Sequence, residues 1–135
     1  MNVTIRKADL NDFPAILSLI KEFAVFQKSD DKVTITLEQM SEDENLFQCF
    51  VAEKSDHVVV GFASFFLAYY SWTGKALYLD DLYVREEYRN QSIGRKLLDR
   101  IVDFATEQKC KKVRWQVSKW NAKAMGFLQQ ERCFN

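Results

Sequence analysis

The chain has 135 residues, 47% of them hydrophobic, which suits one folded domain with a substantial core and excludes a disordered chain. Lys plus Arg and Asp plus Glu both number 19, so the net charge is zero and the basic surplus of a nucleic-acid binder is missing. No apolar run approaches the roughly 20 residues that span a bilayer. The opening stretch MNVTIRKADLNDF also lacks the apolar segment of a signal peptide.

In chain order, NVTIRKA alternates apolar and polar residues and predicts a short strand. Asn11 or Asp12 can cap the helix that follows, with Pro14 tolerated in its first turn. Ile16, Leu17, Ile20, Phe23 and Ala24 form its apolar stripe. TLEQMSEDE predicts a second, short helix. FQCFVAEK and HVVVGFASFFLAYY predict two strands joined near Ser55 and Asp56, and KALYLDDLYV predicts a third. Leu97, Leu98, Ile101, Val102, Phe104 and Ala105 line one face of the next helix. KKVRWQV predicts another strand, and NAKAMGFLQQ opens like a helix. With one Pro, four Gly and no linker or repeat, residues 1–135 form a single domain. The order β-α-α-β-β-β-α-β-α implies an α/β or α+β layer fold with a mixed sheet.

Cys49, Cys110 and Cys133 show no CxxC spacing, and three scattered thiols fit a reducing cytosol. His57 is the only histidine; it sits in a predicted turn and gives neither a Ser-His or Cys-His dyad nor zinc spacing. No metal, nucleic acid or membrane is therefore expected, and the cytoplasm is the expected compartment.

The stretch YVREEYRNQSIGRKLL joins a strand to a helix through a polar turn. Unpaired N–H groups and the helix dipole make a helix N-terminus attractive to anions. Asn90 tolerates the left-handed region, and Ser92 adds a hydroxyl if its φ is ordinary. The turn alone stays open between a phosphate cradle and a plain connection. The pair Asp80-Asp81 is equally open between a proton acceptor and a solvated edge salt-bridged to Lys75 or Arg95. Trp72, Tyr69, Tyr70 and Trp115 read equally well as core aromatics.

Arg89-Asn90-Gln91-Ser92-Ile93-Gly94, after a strand ending DDLYV, resembles the acyl-CoA motif of the GNAT superfamily of N-acetyltransferases, with Ser92 replacing the middle glycine. WTGKALYLDD (72–81), Trp120-Asn121 and the opening IRKADLNDFPAILSLIKEFA resemble its diamine (spermidine/spermine-type) branch, so the similarity spans nearly the whole chain, to Phe127. The resemblance implies a mixed, mainly antiparallel sheet flanked by helices, and transfer of an acetyl group from acetyl-CoA to a small-molecule amine.

The resemblance also implies site residues. Leu82, Tyr83 and Val84 would offer strand backbone to the pantetheine arm; Arg89, Asn90, Gln91, Ser92, Ile93, Gly94 and Arg95 would hold the pyrophosphate; Asn121 would bond the cofactor near the last helix. Asp80 takes the position of a glutamate that acts as general base, with Asp81 beside it, and Phe26, Gln27 and Trp72 border the amine. An amine must lose a proton before it attacks a thioester, and strand N–H groups can receive the oxyanion.

Four departures matter. Asp80 is one methylene shorter than glutamate, and Gln27 and Tyr70 stand where polyamine-acting members carry carboxylates, which leaves smaller diamines and thialysine-like amino acids as candidates. Leu128 replaces a tyrosine that would protonate the leaving thiolate. The ending LQQERCFN is expected to leave the domain without its last strands; one account is a shifted reading frame, since codons can be chosen from which loss of one T restores Phe-Tyr at 127–128. The strand KKVRWQV is then expected to have an open edge, its apolar Val113, Trp115 and Val117 covered by a second copy in a homodimer.

Overall fold

The computed structural model describes residues 2–115 and 131–133. Its elements follow the predicted order: β1 (Val3–Lys7), α1 (Phe13–Phe26), α2 (Leu37–Glu42), β2 (Gln48–Lys54), β3 (Val59–Tyr70), β4 (Gly74–Val84), α3 (Ile93–Glu107), β5 (Lys112–Trp115) and β6 (Glu131–Cys133). The strands form one sheet in the order β1-β2-β3-β4-β5-β6. Every pairing is antiparallel except β4–β5, which is parallel and is connected by α3. Parallel neighbours need a crossover, and α3 supplies it.

The entry to α1 differs from expectation. Asp12 holds the N-cap position of α1, but its side chain makes no cap bond to the helix. Asp9 caps the short turn Leu10–Asp12 before it, its side chain accepting the Asn11 N–H at 2.8 Å while Asp12 Oδ2 accepts the Asp9 N–H at 2.9 Å. Asp12 is committed elsewhere, because both of its oxygens accept from Arg6 at 2.7 Å. Arg6 also reaches Glu53 at 2.9 Å, which ties β1, β2 and the first turn together and holds the Asp12 carboxyl below its usual range.

Two cores lie on opposite faces. On one face Phe50, Phe65, Leu77, Leu79, Leu82 and Val113 pack with Ile93, Leu97, Leu98 and Ile101 of α3. On the other Val51, Phe62 and Tyr83 pack with Phe13, Ile16, Leu19 and Phe23 of α1 and Met40 of α2. Gly61 lets β3, β4 and α3 close together: a Cβ there would stand 2.9 Å from the Tyr83 carbonyl oxygen and 3.2 Å from Val84 Cγ2.

The edge of β5 is not open as expected. β6 pairs with it through Lys112–Cys133, Val113–Arg132 and Arg114–Glu131, so the chain's own tail supplies the partner. Trp120, Val117 and the helix expected from NAKAMGFLQQ lie outside the described residues, as do Asn121 and Leu128.

Candidate active site

The site is built along the far half of β4. Up to Leu79, β4 is flanked on both sides, by β3 through Phe65–Leu79 and by β5 through Leu79–Trp115. Then the β3–β4 register shifts: Phe65 faces Leu79, but Ser64 faces Asp81. Asp80 is the extra residue of a β-bulge. Leu79 and Leu82 both lie in the core under α3, so Asp80 and Asp81 between them both turn to the α1 face.

Among the described residues the β4–β5 pairing ends at Leu79 and Trp115, and residues 80–84 have β3 alone as strand partner. The Arg85 N–H donates to the Val60 carbonyl at 2.9 Å, so alternation turns the Tyr83 backbone groups to β3 and those of Leu82 and Val84 away from it. Leu82 and Val84 thus carry backbone available on the far side. Arg89 Nε occupies the Val84 carbonyl at 2.9 Å.

Asp80 is exposed and Asp81 half-buried. Desolvation by the surrounding protein raises the Asp80 carboxyl above the ordinary carboxylate range. The Asp81 carboxyl is pushed up to about 6, first by burial and then by the charge of Asp80. Neither aspartate makes an ion pair among the described residues. The salt-bridge alternative fails because its cations are engaged elsewhere. Lys75 Nζ donates to the Gln108 carbonyl at 2.9 Å, and Arg95 Nε pairs with Asp99 at 3.3 Å.

After β4 the chain turns through Glu86–Tyr88 and reaches the N-terminus of α3. Both Asn90 (φ 67°) and Ser92 (φ 64°) adopt the left-handed region. The reading of Ser92 as a turn residue is conditional on an ordinary φ, and that condition is not met: the structure gives Ser92 the conformation that glycine takes without cost. The Ser92 side chain makes no capping bond, and the first helical bond is the Lys96 N–H to the Ser92 carbonyl at 3.0 Å. Among the described residues the N–H groups of Ile93, Gly94 and Arg95 find no acceptor. Ile93 is buried and anchors the turn; Gln91 is exposed.

Arg89 locks this turn to α1. Its guanidinium lies 4.8 Å from the Phe26 ring centre and 5.4 Å from that of Tyr83, and Tyr83 stacks on Phe23 at 4.9 Å. Burial and a hydrogen bond to Glu22 push the Tyr83 phenol up to about 12. Phe26 and Gln27, at the C-terminal end of α1, therefore stand on the phosphate-turn side of the site. Trp72 is at the tip of the β3–β4 hairpin and 97% exposed, so it is no core aromatic. From Gly74 to Asp80 the strand rises about 20 Å, which separates Trp72 from Asp80 within one chain. Trp115 is buried, whereas Tyr69 is 80% exposed. His57 lies in the β2–β3 turn near Glu53, at 3.8 Å.

Ser64 has no place in the sequence reading. It is buried, and its Oγ accepts the Asp81 N–H at 3.2 Å. The bulge was marked in LYLDDLYV itself: Leu77 and Leu79 hold one phase of alternation, Leu82 and Val84 the other. Among the described residues no three His, Cys, Asp or Glu side chains gather as metal ligands would.

The chain is similar to thialysine N-epsilon-acetyltransferase of Sus scrofa, with 36% identity over 92% of this chain and 79% of the relative. It is also similar to human spermidine/spermine N(1)-acetyltransferase-like protein 1, with 35% identity over 91% of this chain but 19% of that longer protein. Among solved structures, an aminoglycoside acetyltransferase from an uncultured soil metagenomic sample, crystallised with sisomicin, superimposes with a TM-score of 0.77 at 25% identity, covering 93% of this chain and 84% of that one. Residues 13–133 match the acetyltransferase (GNAT) family, and with that match, the bulged β4 and the uncapped α3 N-terminus, the chain belongs to the acetyltransferase (GNAT) family.

Proposed function

We propose that this acetyltransferase moves the acetyl group of acetyl-CoA to a primary amine of a small molecule: a diamine, a polyamine or a thialysine-like amino acid. The observation that carries the proposal is Asp80, extruded at the bulge beside strand backbone that lacks a partner among the described residues. Acetyl-CoA supplies the activated acyl group. The N–H groups of Ile93, Gly94 and Arg95, with the charge of Arg95, fit its phosphates. Arg89 holds the turn in place, and Asn90, Gln91 and Ser92 shape it. Leu82 faces the pantetheine arm with a backbone donor and acceptor and Val84 with its N–H, its carbonyl being taken by Arg89; the Tyr83 backbone, expected to share this role, is turned to β3, and its ring is buried under α1. Asn121 completes the cofactor contacts.

In this reading Asp80 accepts the proton that the amine sheds, directly or through a water, and its raised pKa makes it a better acceptor. Asp81 adds negative charge that draws a cationic amine. Phe26 and Gln27 border the channel between turn and amine. A second reading, cofactor binding with little turnover, is favoured by Leu128, which has no proton to give where related chains place tyrosine.

Trp72 joins an amine site only if it comes from a second copy. The exposed Phe66, Leu67, Tyr69 and Trp72 on the two sides and tip of the β3–β4 hairpin support a homodimer through that hairpin rather than through the β5 edge. Free, buried Cys49 and Cys110 support a reducing, cytoplasmic setting. Among the described residues no helix is long and apolar enough to cross a membrane.

Calorimetry with acetyl-CoA, followed by thiol release over a panel of lysine-like amino acids, diamines and polyamines, tests the proposal. We expect binding and release with the smaller amines. Binding without release for every amine supports the second reading, and no binding overturns both. Light scattering should give a dimer; a monomer of 15.9 kDa overturns that part.

A further inference from the structure

We propose that Ser64 is a positioning residue for acetyl transfer: its hydroxyl holds the β4 bulge and thereby fixes where Asp80 stands. The inference rests on Asp80 as proton acceptor and names the residue that aims it.

A β-bulge sets two residues of one strand against one of its neighbour and breaks the ladder there. The backbone of Asp81 still faces β3, because its neighbours in the same phase, Tyr83 and Arg85, pair with Phe62 and Val60. The Asp81 N–H takes a side-chain acceptor, Ser64 Oγ at 3.2 Å. Ser64 is only 5% exposed, so water is a poor substitute, and a buried N–H without an acceptor costs as much as a lost hydrogen bond.

Without the hydroxyl, the Asp81 N–H loses its side-chain acceptor, and the bulge loses a bond that favours its register over one slipped by a residue. A slip of one turns every side chain beyond it to the other face. Leu82 and Val84, buried under α3, resist the slip. The opposed demands loosen the bulge rather than remove it, and the residue that moves most freely is the extra one, Asp80. In register, Cys49, Ser64 and Asp81 form one row across β2, β3 and β4 on the α1 face. Burial pushes the Cys49 thiol well above its usual range and keeps it protonated, so Ser64 sits between a neutral thiol and the Asp81 carboxyl. Among the described residues its hydroxyl makes one hydrogen bond, to the backbone beside Asp80.

The test compares Ser64→Thr with Ser64→Val, which have nearly equal volume and differ in the hydroxyl. Three readouts are taken on the full chain: kcat with the best amine of the panel, KM for acetyl-CoA, and hydrogen exchange of the Asp81 amide by NMR. We expect Ser64→Val to lose about tenfold in kcat, as misplacement of a reacting group does. Its KM for acetyl-CoA should stay within about twofold of the parent, and its Asp81 amide should exchange faster. Ser64→Thr should keep most of the rate and the slow exchange. Equal kcat and equal exchange in the two variants overturn the proposal. So does a parallel loss of kcat, acetyl-CoA binding and thermal stability in Ser64→Val, which marks a merely structural role. If Ser64→Val does not fold, Ser64→Ala against the parent gives the same comparison. If the parent acetylates no amine, the acetyltransferase reading of Asp80 has failed. Equal Asp81 exchange with and without the hydroxyl then overturns the role of Ser64 by itself.

Discussion

Under α3 the sheet presents Phe50, Phe65, Leu77, Leu79, Leu82 and Val113, all of them buried and apolar. Under α1 it presents Phe62, Val51 and Tyr83, but the same face carries Ser64, Asp80 and Asp81, and its Tyr83 is tied to Glu22. The first face has only to exclude water. The second keeps polar groups in a half-dry setting, where a carboxyl is pushed up to about 6. One residue of β4 separates them: without Asp80 as an extra residue, Leu82 and Val84 would turn away from α3 and the aspartates would not stand side by side. The α3 face is uniformly apolar, and the α1 face gives up part of that packing to hold half-buried carboxyls.

The sharpest way to break this contrast is Asp80→Asn. If the α1 face does the proton transfer, kcat should fall by roughly 10²–10⁴-fold while acetyl-CoA affinity holds. An unchanged rate at pH 7 would make Asp80 a surface residue and erase the functional half of the comparison.

Gly61→Ala probes the other face. Its Cβ would press on the Tyr83 carbonyl at 2.9 Å, on Val84 and on Leu97. Overpacking of this kind costs about 1–3 kcal/mol. Thermal melting should show the loss, with acetyl-CoA affinity reduced no more than the folded fraction requires. A melting point equal to the parent's would mean that the α3 face yields more easily than its packing suggests.

Asp81→Asn tests whether the α1 face is held at a cost. A carboxyl whose pKa is raised by folding takes up its proton more readily in the folded state than in the unfolded one. Between its ordinary value and about 6, stability due to this group therefore falls as pH rises, and above 6 the charged form is carried as a penalty. Asparagine removes that penalty. We expect the variant to melt above the parent at pH 7, with the gap closing as pH drops through 6 toward 4. A gap that does not change with pH would separate the effect from ionisation.

The smallest expected change comes from Ser92→Gly at the α3 N-terminus. A left-handed φ of 64° costs an L-residue about 1–2 kcal/mol, part of which glycine returns through its freer unfolded chain. Stability should rise by no more than about 1 kcal/mol, and acetyl-CoA affinity should hold or improve. A weaker affinity would assign the Ser92 hydroxyl a direct role that its missing cap bond does not suggest.

Much of the fold was legible because it is written in local periodicity. The apolar stripe of α3 and the runs rich in β-branched and aromatic residues in β2 and β3 place those elements without further help. The turn before α3 and the Asp80-Asp81 pair were singled out by motif spacing, and the structure places both at one end of β4. What escaped depends on pairing between distant segments. The bulge needs Phe65 and Ser64 to be known as the neighbours of Leu79 and Asp81, although the phase break in LYLDDLYV was already its mark. Ser64 was missed for the same reason. Asp12 stands at the N-cap of α1 as expected, but the loss of its cap bond to Arg6 was not legible, because the turn between them brings the two together. Trp72 looked like either a core residue or a site residue, and position along a strand does not say that a hairpin tip projects into solvent. The partner of β5 was missed because a three-residue strand gives no periodic signal.

Arg89 joins three parts of the molecule: its own turn, the last carbonyl of β4 and the final aromatic ring of α1. A turn held in this way has already surrendered its freedom when the chain folds. A ligand that seats on its N–H groups does not have to order it, so more of the contact energy remains for affinity. The strain at Asn90 and Ser92 is likewise met at folding, so the turn keeps one shape whether or not an anion is present.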